Sequence, residues 1–126
     1  DYNASANDNV IIDGIAGNRD SIGWVGFAFA HENRDRVRLL EIDGGEGCVA
    51  PTAETIASAD FPISRFLYTY VDVARADDPA VREFIDFMLS DEGQGFVTAA
   101  GYVNLAAADL EQSRTNWAAR TAGRTF

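Results

Sequence analysis

The sequence has 126 residues, of which 47% are hydrophobic and 11% aromatic, and this composition excludes a disordered chain. Its formal net charge is −10, its ten basic residues are all arginines, and its pI is about 4.3, so nucleic acid and anionic membrane surfaces are poor partners. No apolar run approaches the roughly 20 residues of a membrane-spanning helix. The first residue is Asp1 and not Met, which indicates a processed or partial chain.

The N-terminal half is predicted to contain a short helix and two strands. Asn3 begins a formal glycosylation sequon, a short motif that often occurs by chance. The apolar residues of 10–15 predict a helix capped by Asp8 or Asn9. Residues 21–30 are rich in aromatic and β-branched side chains, and residues 37–42 are apolar, so both are predicted as strands. The aromatic side chains of the first strand are expected in the core: Trp24, Phe27 and Phe29.

The middle of the chain is predicted to hold a loop, a helix and a third strand. The glycine-rich residues 43–47 must form a loop. A short helix is predicted to start within 51–56, since Pro51 ahead of it and Glu54 in its first turn both suit a helix N-terminus. Residues 64–73 are almost continuously apolar, which is typical of a strand buried on both faces.

Helices are predicted for the C-terminal part. Asp78 is a suitable N-cap and Pro79 a suitable first residue of a helix. Its apolar stripe, expected in the core, contains Val81, Phe84, Ile85, Met88 and Leu89. Asp91 with Gln94 predicts a capping box for a second helix, which Gly101 ends. A last helix is expected over 107–122. Strands and helices alternate, so the fold class is α/β.

Residue types give little support to catalysis or metal binding. Cys48 and His31 are the single cysteine and histidine, which excludes an intrachain disulfide and a Cys/His zinc site. Cys48 is either a small buried hydrophobe or a free thiol. Residues 43–47 lack the ligand spacing of an EF-hand and the Lys-Ser/Thr of a phosphate loop. We therefore expect no catalytic residue, no metal and no cofactor.

Four segments, taken in order, resemble the PstS-like phosphate receptors of ABC importers, which belong to the periplasmic binding protein type 2 superfamily. Residues 22–29, IGWVGFAF, resemble the family pattern I-G-Y-x-G-Y-A-Y. Residues 48–56 resemble V-x-P-[TS]-x-E-T-[IV], and residues 61–71 resemble Y-P-L-S-R-P-L-Y-I-Y-V. Residues 84–94 with 101–105 resemble F-x-x-F-x-L-S-x-E-G-Q and G-Y-V-P-L. Phe66 and Asn104 depart from the pattern, since the family has Pro there.

The resemblance implies a C-terminal portion of a two-lobed type 2 binding-protein fold. Residues 1–48 would belong to lobe two, residues 49–66 to the hinge or crossing segment, and residues 67–126 to the C-terminal part of lobe one. The family's phosphate contacts include an Arg-x-x-x-Ser-Gly-Thr segment that this sequence lacks. Ligand-contact residues are therefore unassigned, with Thr52 and Arg65 as weak candidates. Helix capping by Thr52 and a salt bridge of Arg65 are the plainer interpretations.

The function implied by the resemblance is extracytoplasmic binding of inorganic phosphate for an ABC permease, without enzyme activity. The alternative is a binding or scaffold module of the same superfamily that takes another oxyanion or has lost ligand binding. The resemblance implies a periplasmic or extracellular location, with room for a membrane anchor before Asp1. Because both lobes would be incomplete, we expect association with the N-terminal remainder of the receptor or self-association.

Overall fold

Short helices dominate the chain. The structure, a computed structural model, describes residues 4–123, so the sequon residue Asn3 lies outside the described part. The α-helices of that part are α1 Asp8–Ala16, α2 Phe27–Glu32, α3 Ala53–Ala57, α4 Pro79–Leu89, α5 Asp91–Ala99 and α6 Ala107–Ala118. A 3-10 turn covers Val73–Arg75. Strand β1, Ile42–Asp43, pairs with strand β2, Cys48–Val49, in an antiparallel hairpin.

Local capping signals place the helix starts close to their predicted positions. Helix α1 begins one residue earlier than its predicted caps imply, because the Asn7 side chain accepts from the Asn9 N–H at 3.0 Å. For α4, Asp78 is the N-cap and accepts from Ala80 at 3.1 Å, with Pro79 at the first position as predicted. The last helix is confirmed but ends at residue 118, four residues before its predicted end.

The predicted capping box of α5 is wrong by one residue. Ser90, and not Asp91, is the N-cap, and its hydroxyl accepts from the Gly93 N–H at 3.0 Å. The Gln94 side chain turns back to donate to the Met88 carbonyl of α4 at 2.9 Å. Gly101 follows the helix with φ of 78°, the left-handed conformation expected of a terminating glycine.

The strand predicted over 21–30 is wrong. Residues 21–26 have no regular structure, and α2 begins at Phe27. Its turn is held by the Ala30 N–H bonded to the Gly26 carbonyl at 3.1 Å and by the Asn33 amide bonded to the Phe29 carbonyl at 2.9 Å. The Phe27 and His31 rings, one turn apart, stack with centroids 5.4 Å apart. Because these bonds are local, they form without the neighbouring strand that a buried strand needs.

The other two strand predictions also fail within the described residues. Of the strand predicted over 37–42, Ile42 alone joins the hairpin. Residues 64–72 carry no helix, strand or turn, and within residues 4–123 no strand pairs with them. A strand is defined by its ladder partner, so an apolar extended segment without one remains irregular.

The core is thin. The buried apolar side chains are Ile12, Phe61, Ala76 and Ile85. Phe84, predicted in the core stripe of α4, is 60% exposed, and Trp24 is 70% exposed. Cys48 is an exposed free thiol, so the buried alternative is wrong for this structure. Large apolar side chains of the described residues therefore face solvent in this structure.

Candidate functional site

The β1–β2 hairpin leads into the predicted crossing segment, residues 49–66. The Asp43 carboxylate accepts from the N–H groups of Gly45 and Gly47 at 2.7 and 3.1 Å. Both glycines have φ above 110°, a conformation that L side chains rarely adopt. The two N–H groups, Gly45 first, hold the pKa of Asp43 below its ordinary value, because they stabilise the charged carboxylate. A hydrogen-bonded turn thus fixes the entry to the crossing segment.

Thr52 caps α3 in a reciprocal capping box. Its hydroxyl accepts from the Thr55 N–H at 3.1 Å, and the Thr55 hydroxyl accepts from the Thr52 N–H at 3.0 Å. The Thr55 hydroxyl also donates to the Ala50 carbonyl at 2.6 Å. The prediction that Thr52 caps a helix is therefore confirmed.

The Thr52 hydroxyl keeps a proton for another acceptor. Since Thr55 directs its own proton to Ala50, the 3.1 Å contact between the two hydroxyl oxygens leaves Thr52 as the donor to Thr55 or to a molecule in solvent. Thr52 is exposed. Capping and donation to a ligand are thus compatible at this residue.

A tight turn carries the chain from α3 to Arg65. Ala59 has φ of 61°, and the Phe61 N–H bonds to the Thr55 carbonyl at 2.9 Å, which folds the chain back over the helix. Phe61 is 9% exposed and anchors the turn. Arg65 follows on the surface, and the salt bridge expected for it is not found among residues 4–123. Its guanidinium is available to an anion in solution.

A second polar feature, which the sequence analysis missed, lies between α4 and α6. A groove of 630 Å³ contains Asp86, Arg114, Trp117 and Arg120 among its lining residues. The Trp117 indole N–H donates to Asp86 at 2.7 Å, and the Arg120 guanidinium stacks over the Trp117 ring at 4.0 Å. Only the three-dimensional arrangement brings these residues together, since Asp86 and Trp117 are 31 positions apart. The Arg114 guanidinium donates to Leu89 and Asp91, and the Arg120 guanidinium donates to Asp77, so the polar groups of the groove join the helices to one another.

The described residues were also searched for metal-binding clusters, for a Cys–His pair and for membrane-spanning helices. Among residues 4–123, no group of three or more side chains that could hold a metal ion is found. Nε2 of His31 lies 3.0 Å from an Arg34 nitrogen, and Cys48 lies in the hairpin opposite Asp43. No helix in the same range is long and apolar enough to cross a membrane.

Comparison with known proteins gives the family. The family described as a PBP superfamily domain matches residues 3–92. The chain belongs to the PBP superfamily. Within it, SphX of Synechocystis is 34% identical over 103 residues, which are 80% of this chain and 30% of SphX. The phosphate-binding protein PstS of Staphylococcus epidermidis is 35% identical over 101 residues, which are 79% of this chain and 31% of PstS. The chain thus spans about a third of the length of these relatives.

A solved structure agrees with the family assignment. A possible phosphate-binding protein from Planctomyces limnophilus superposes with a TM-score of 0.70 and 28% identity, over 97% of this chain and 44% of that protein. The predicted resemblance and the predicted α/β class, as part of a type 2 binding-protein fold, are confirmed. The agreement on fold class does not extend to the three strands predicted inside this chain, because the described residues form no sheet other than the β1–β2 hairpin.

Proposed function

We propose that this chain is a segment of an extracytoplasmic receptor that binds inorganic phosphate and delivers it to an ABC-type permease. The observation that carries the proposal is the agreement between two independent likenesses. About four-fifths of the chain aligns with relatives named phosphate-binding protein PstS at 34–35% identity, and nearly all of it superposes on a possible phosphate-binding protein. Receptors of this kind act outside the cytoplasmic membrane, in the periplasm or at the cell surface, and carry out no reaction.

In this proposal the chain supplies the hinge and flanking parts of both lobes. Residues 1–48 belong to lobe two, residues 49–66 cross between the lobes, and residues 67–126 belong to lobe one. Lobe closure around an oxyanion requires crossing segments that bend at a few residues. The turn at Ala59 and the glycine turn after Asp43 flank α3, so a short rigid piece is held between two bends.

Phosphate would be held by neutral hydrogen-bond donors and by arginine, since the net charge of −10 repels an anion. Thr52, with its remaining hydroxyl proton, and Arg65, without an ion pair in the described part, are the candidates from this chain. Most donors would come from the remainder of the receptor, because the Arg-x-x-x-Ser-Gly-Thr segment is absent here. The chain alone is therefore expected to bind phosphate weakly or not at all.

Isothermal titration with phosphate, and with sulfate as the control anion, tests the proposal. The sample is a receptor in which this chain replaces its aligned counterpart in the Planctomyces limnophilus protein. Saturable heat with phosphate and none with sulfate is the expected result. Equal heats with both anions would favour a module for another oxyanion, and no heat from the folded receptor would contradict phosphate binding.

Single substitutions in the same receptor test the two candidate contacts. Thr52→Val removes the hydroxyl, whereas Thr52→Ser keeps both the cap and the donor. Arg65→Gln removes the guanidinium charge, and Arg38→Gln is its matched control on an exposed residue before the hairpin. A contact that donates to phosphate should cost about tenfold in Kd or more when it is removed. If Thr52→Val and Arg65→Gln bind as well as their controls, neither residue contacts the ligand.

A further inference from the structure

Acidic side chains outnumber basic ones two to one in this chain. The sequence has 20 Asp and Glu residues against ten Arg, which leaves a formal net charge of −10 on 126 residues. No charged side chain of residues 4–123 is buried, so these charges lie at the surface. A net charge this far from zero destabilises a compact state, because the surface charges repel one another.

Ion pairs neutralise a minority of the carboxylates. In the described part, the carboxylates that take part in salt bridges are those of Asp13, Asp77, Asp78, Asp91 and Glu111. The other carboxylates of that part, which are the majority, have no basic nitrogen within 4.0 Å. Within α4, Glu83 and Asp86 are three positions apart, a spacing at which side chains of one helix are neighbours and like charges repel. The excess charge is therefore not cancelled locally.

The basic side chains are suited to keep the ion pairs that the chain does have. All ten are Arg, whose guanidinium is more weakly hydrated than the ammonium group of Lys and presents a planar fork of donors. Arg114 uses this fork to bond the Leu89 carbonyl and the Asp91 carboxylate at 2.8 and 2.7 Å. Arg120 bonds the Asp77 carboxylate at 3.2 Å. These bonds connect the last helix to the part of the chain that holds α4 and α5.

Dissolved salt acts differently on the ion pairs and on the excess charge. The Debye length is about 10 Å at 0.1 M ionic strength and about 3 Å at 1 M. The nitrogen–oxygen distances of 2.7 Å in Arg114–Asp91 and 3.2 Å in Arg120–Asp77 are close to the shorter of these lengths. Carboxylates that are not in contact repel one another over longer distances, so salt screens them more strongly. Concentrated salt thus removes most of the repulsion and retains much of the attraction.

The apolar core does little to offset the repulsion. The buried apolar side chains of the described residues are Ile12, Phe61, Ala76 and Ile85. Burial of apolar surface is the dominant favourable term in folding. Because few side chains are buried, the electrostatic term decides whether the compact state is populated.

We propose that this chain folds stably only in concentrated salt, at an ionic strength of roughly 1 M or more, where its unpaired carboxylates no longer repel one another. The effect belongs to the charge of the whole surface and needs no cation bound at one place. The same screening removes the long-range repulsion between this acidic chain and an approaching anion. The inference holds whichever anion the receptor binds, so it does not depend on the proposed function.

Urea unfolding of the chain at increasing KCl concentration, followed by circular dichroism at neutral pH, tests the proposal. The urea midpoint should rise about twofold or more between roughly 0.1 M and roughly 1 M KCl. Sucrose is the control, because it is excluded from the protein surface and strengthens apolar burial without screening charge.

Two charge variants of opposite sign show whether the salt acts on the net charge. The first replaces three exposed glutamates that have no ion pair in the described part: Glu41→Gln, Glu46→Gln and Glu83→Gln. The second replaces three exposed arginines, also without an ion pair in residues 4–123: Arg19→Gln, Arg38→Gln and Arg82→Gln.

The salt response should follow the square of the net charge, since each charge repels all the others. The glutamate variant removes three negative charges from the net −10, so its midpoint should rise about half as much as that of the wild type. The arginine variant adds three negative charges and should respond about one and a half times as strongly as the wild type. Sucrose should shift all three proteins equally.

Three results would overturn the proposal. Equal responses to KCl in the wild type and both variants would show that salt acts through apolar surface and not through charge. A midpoint that falls as KCl is added would show that the ion pairs outweigh the repulsion. A wild-type chain without a cooperative transition at any KCl concentration would show that salt does not supply its fold.

Discussion

Gly93 lies in the first turn of α5, where the helix passes against the end of α4. A Cβ at this position would lie 2.0 Å from the Phe87 carbonyl oxygen, so backbone would have to move. Gly95, two residues later in the same helix, has nothing within 4 Å of an added Cβ. Close packing of α5 on α4 therefore requires glycine at position 93, whereas position 95 has room for a side chain.

Alanine substitution should separate these two roles. Gly93→Ala is expected to lower the free energy of unfolding by about 3 kcal/mol, whereas Gly95→Ala should raise it by up to about 1 kcal/mol through helix propensity. Urea unfolding followed by circular dichroism measures both. A similar loss in the two variants would show that α5 does not pack on α4 as described.

Asp43 gives a residue-scale dependence on pH. Its folded-state pKa lies below the ordinary 3.8, so its contribution to stability is present above that value and is lost as the pH falls through the lower folded pKa. Asp43→Asn keeps an acceptor oxygen and removes the charge. The wild type should therefore lose more stability than Asp43→Asn when thermal unfolding is compared at pH 5 and pH 3. Parallel pH profiles would contradict the two Gly N–H bonds.

At the scale of elements, one arginine joins three helices. The Arg114 side chain in α6 donates to the Leu89 carbonyl of α4 at 2.8 Å and to the Asp91 carboxylate of α5 at 2.7 Å. The Arg114 side chain is partly exposed, so solvent weakens its ion pair with Asp91. Leu89 is the last residue of α4, where carbonyl groups have no following helical turn from which to accept a hydrogen bond, and Arg114 supplies that donor. Its role is to fix the angle at which α6 lies on the other two helices.

Replacing Arg114 should loosen α6 selectively. Arg114→Met keeps the aliphatic stem and is expected to cost about 1–2 kcal/mol. Arg82→Met is the matched control, because Arg82 lines the same groove without an ion pair in the described part, and should change stability by less than about 0.5 kcal/mol. Hydrogen exchange should show faster exchange in α6 for Arg114→Met. Unchanged exchange in α6 would show that the Arg114 bonds do not hold this helix against α4 and α5.

The sequence predicts elements to the extent that their bonds are local. The caps at Asp78 and Thr52 and the period of α4 act within a few residues. Helix α4 begins where predicted, and α3 lies at 53–57, close to its predicted range of 51–56. The strands predicted over 21–30 and 64–73 depend on distant ladder partners, which sequence pattern cannot show to be present. At the candidate site, the capping role of Thr52 was predictable from the sequence, whereas its role as a ligand contact stays a prediction. The contact between the Thr52 and Thr55 hydroxyls and the Asp86–Trp117 bond required coordinates.

At the scale of the whole molecule, the apolar side chains buried among residues 4–123 are Ile12, Phe61, Ala76 and Ile85, beside an accessible surface of 9528 Å². A chain of this size ordinarily buries roughly two-thirds of the surface that its unfolded form exposes. This chain buries less, and aromatic side chains between residues 63 and 102 are exposed, among them Tyr70, Phe84 and Phe96.

The dye ANS, which fluoresces when it binds exposed apolar surface, should detect these exposed apolar side chains. We expect strong ANS fluorescence from the chain alone and a marked decrease when the chain replaces its aligned counterpart in the whole Planctomyces limnophilus protein. Phosphate added to the chain alone is the control and should leave the fluorescence unchanged. A chain that fails to bind ANS would show that its apolar groups are already covered.

The exposed thiol of Cys48 makes the hairpin a convenient place for a spectroscopic reporter. The chain has one cysteine and no lysine, so a maleimide fluorophore or spin label attaches at a single position, and amine reagents leave the side chains untouched. That position lies one residue before the crossing segment and opposite Asp43, whose turn with Gly45 and Gly47 fixes the local backbone. In the proposed receptor, a label there would sense rotation between the lobes, because residues 49–66 are expected to cross from one lobe to the other.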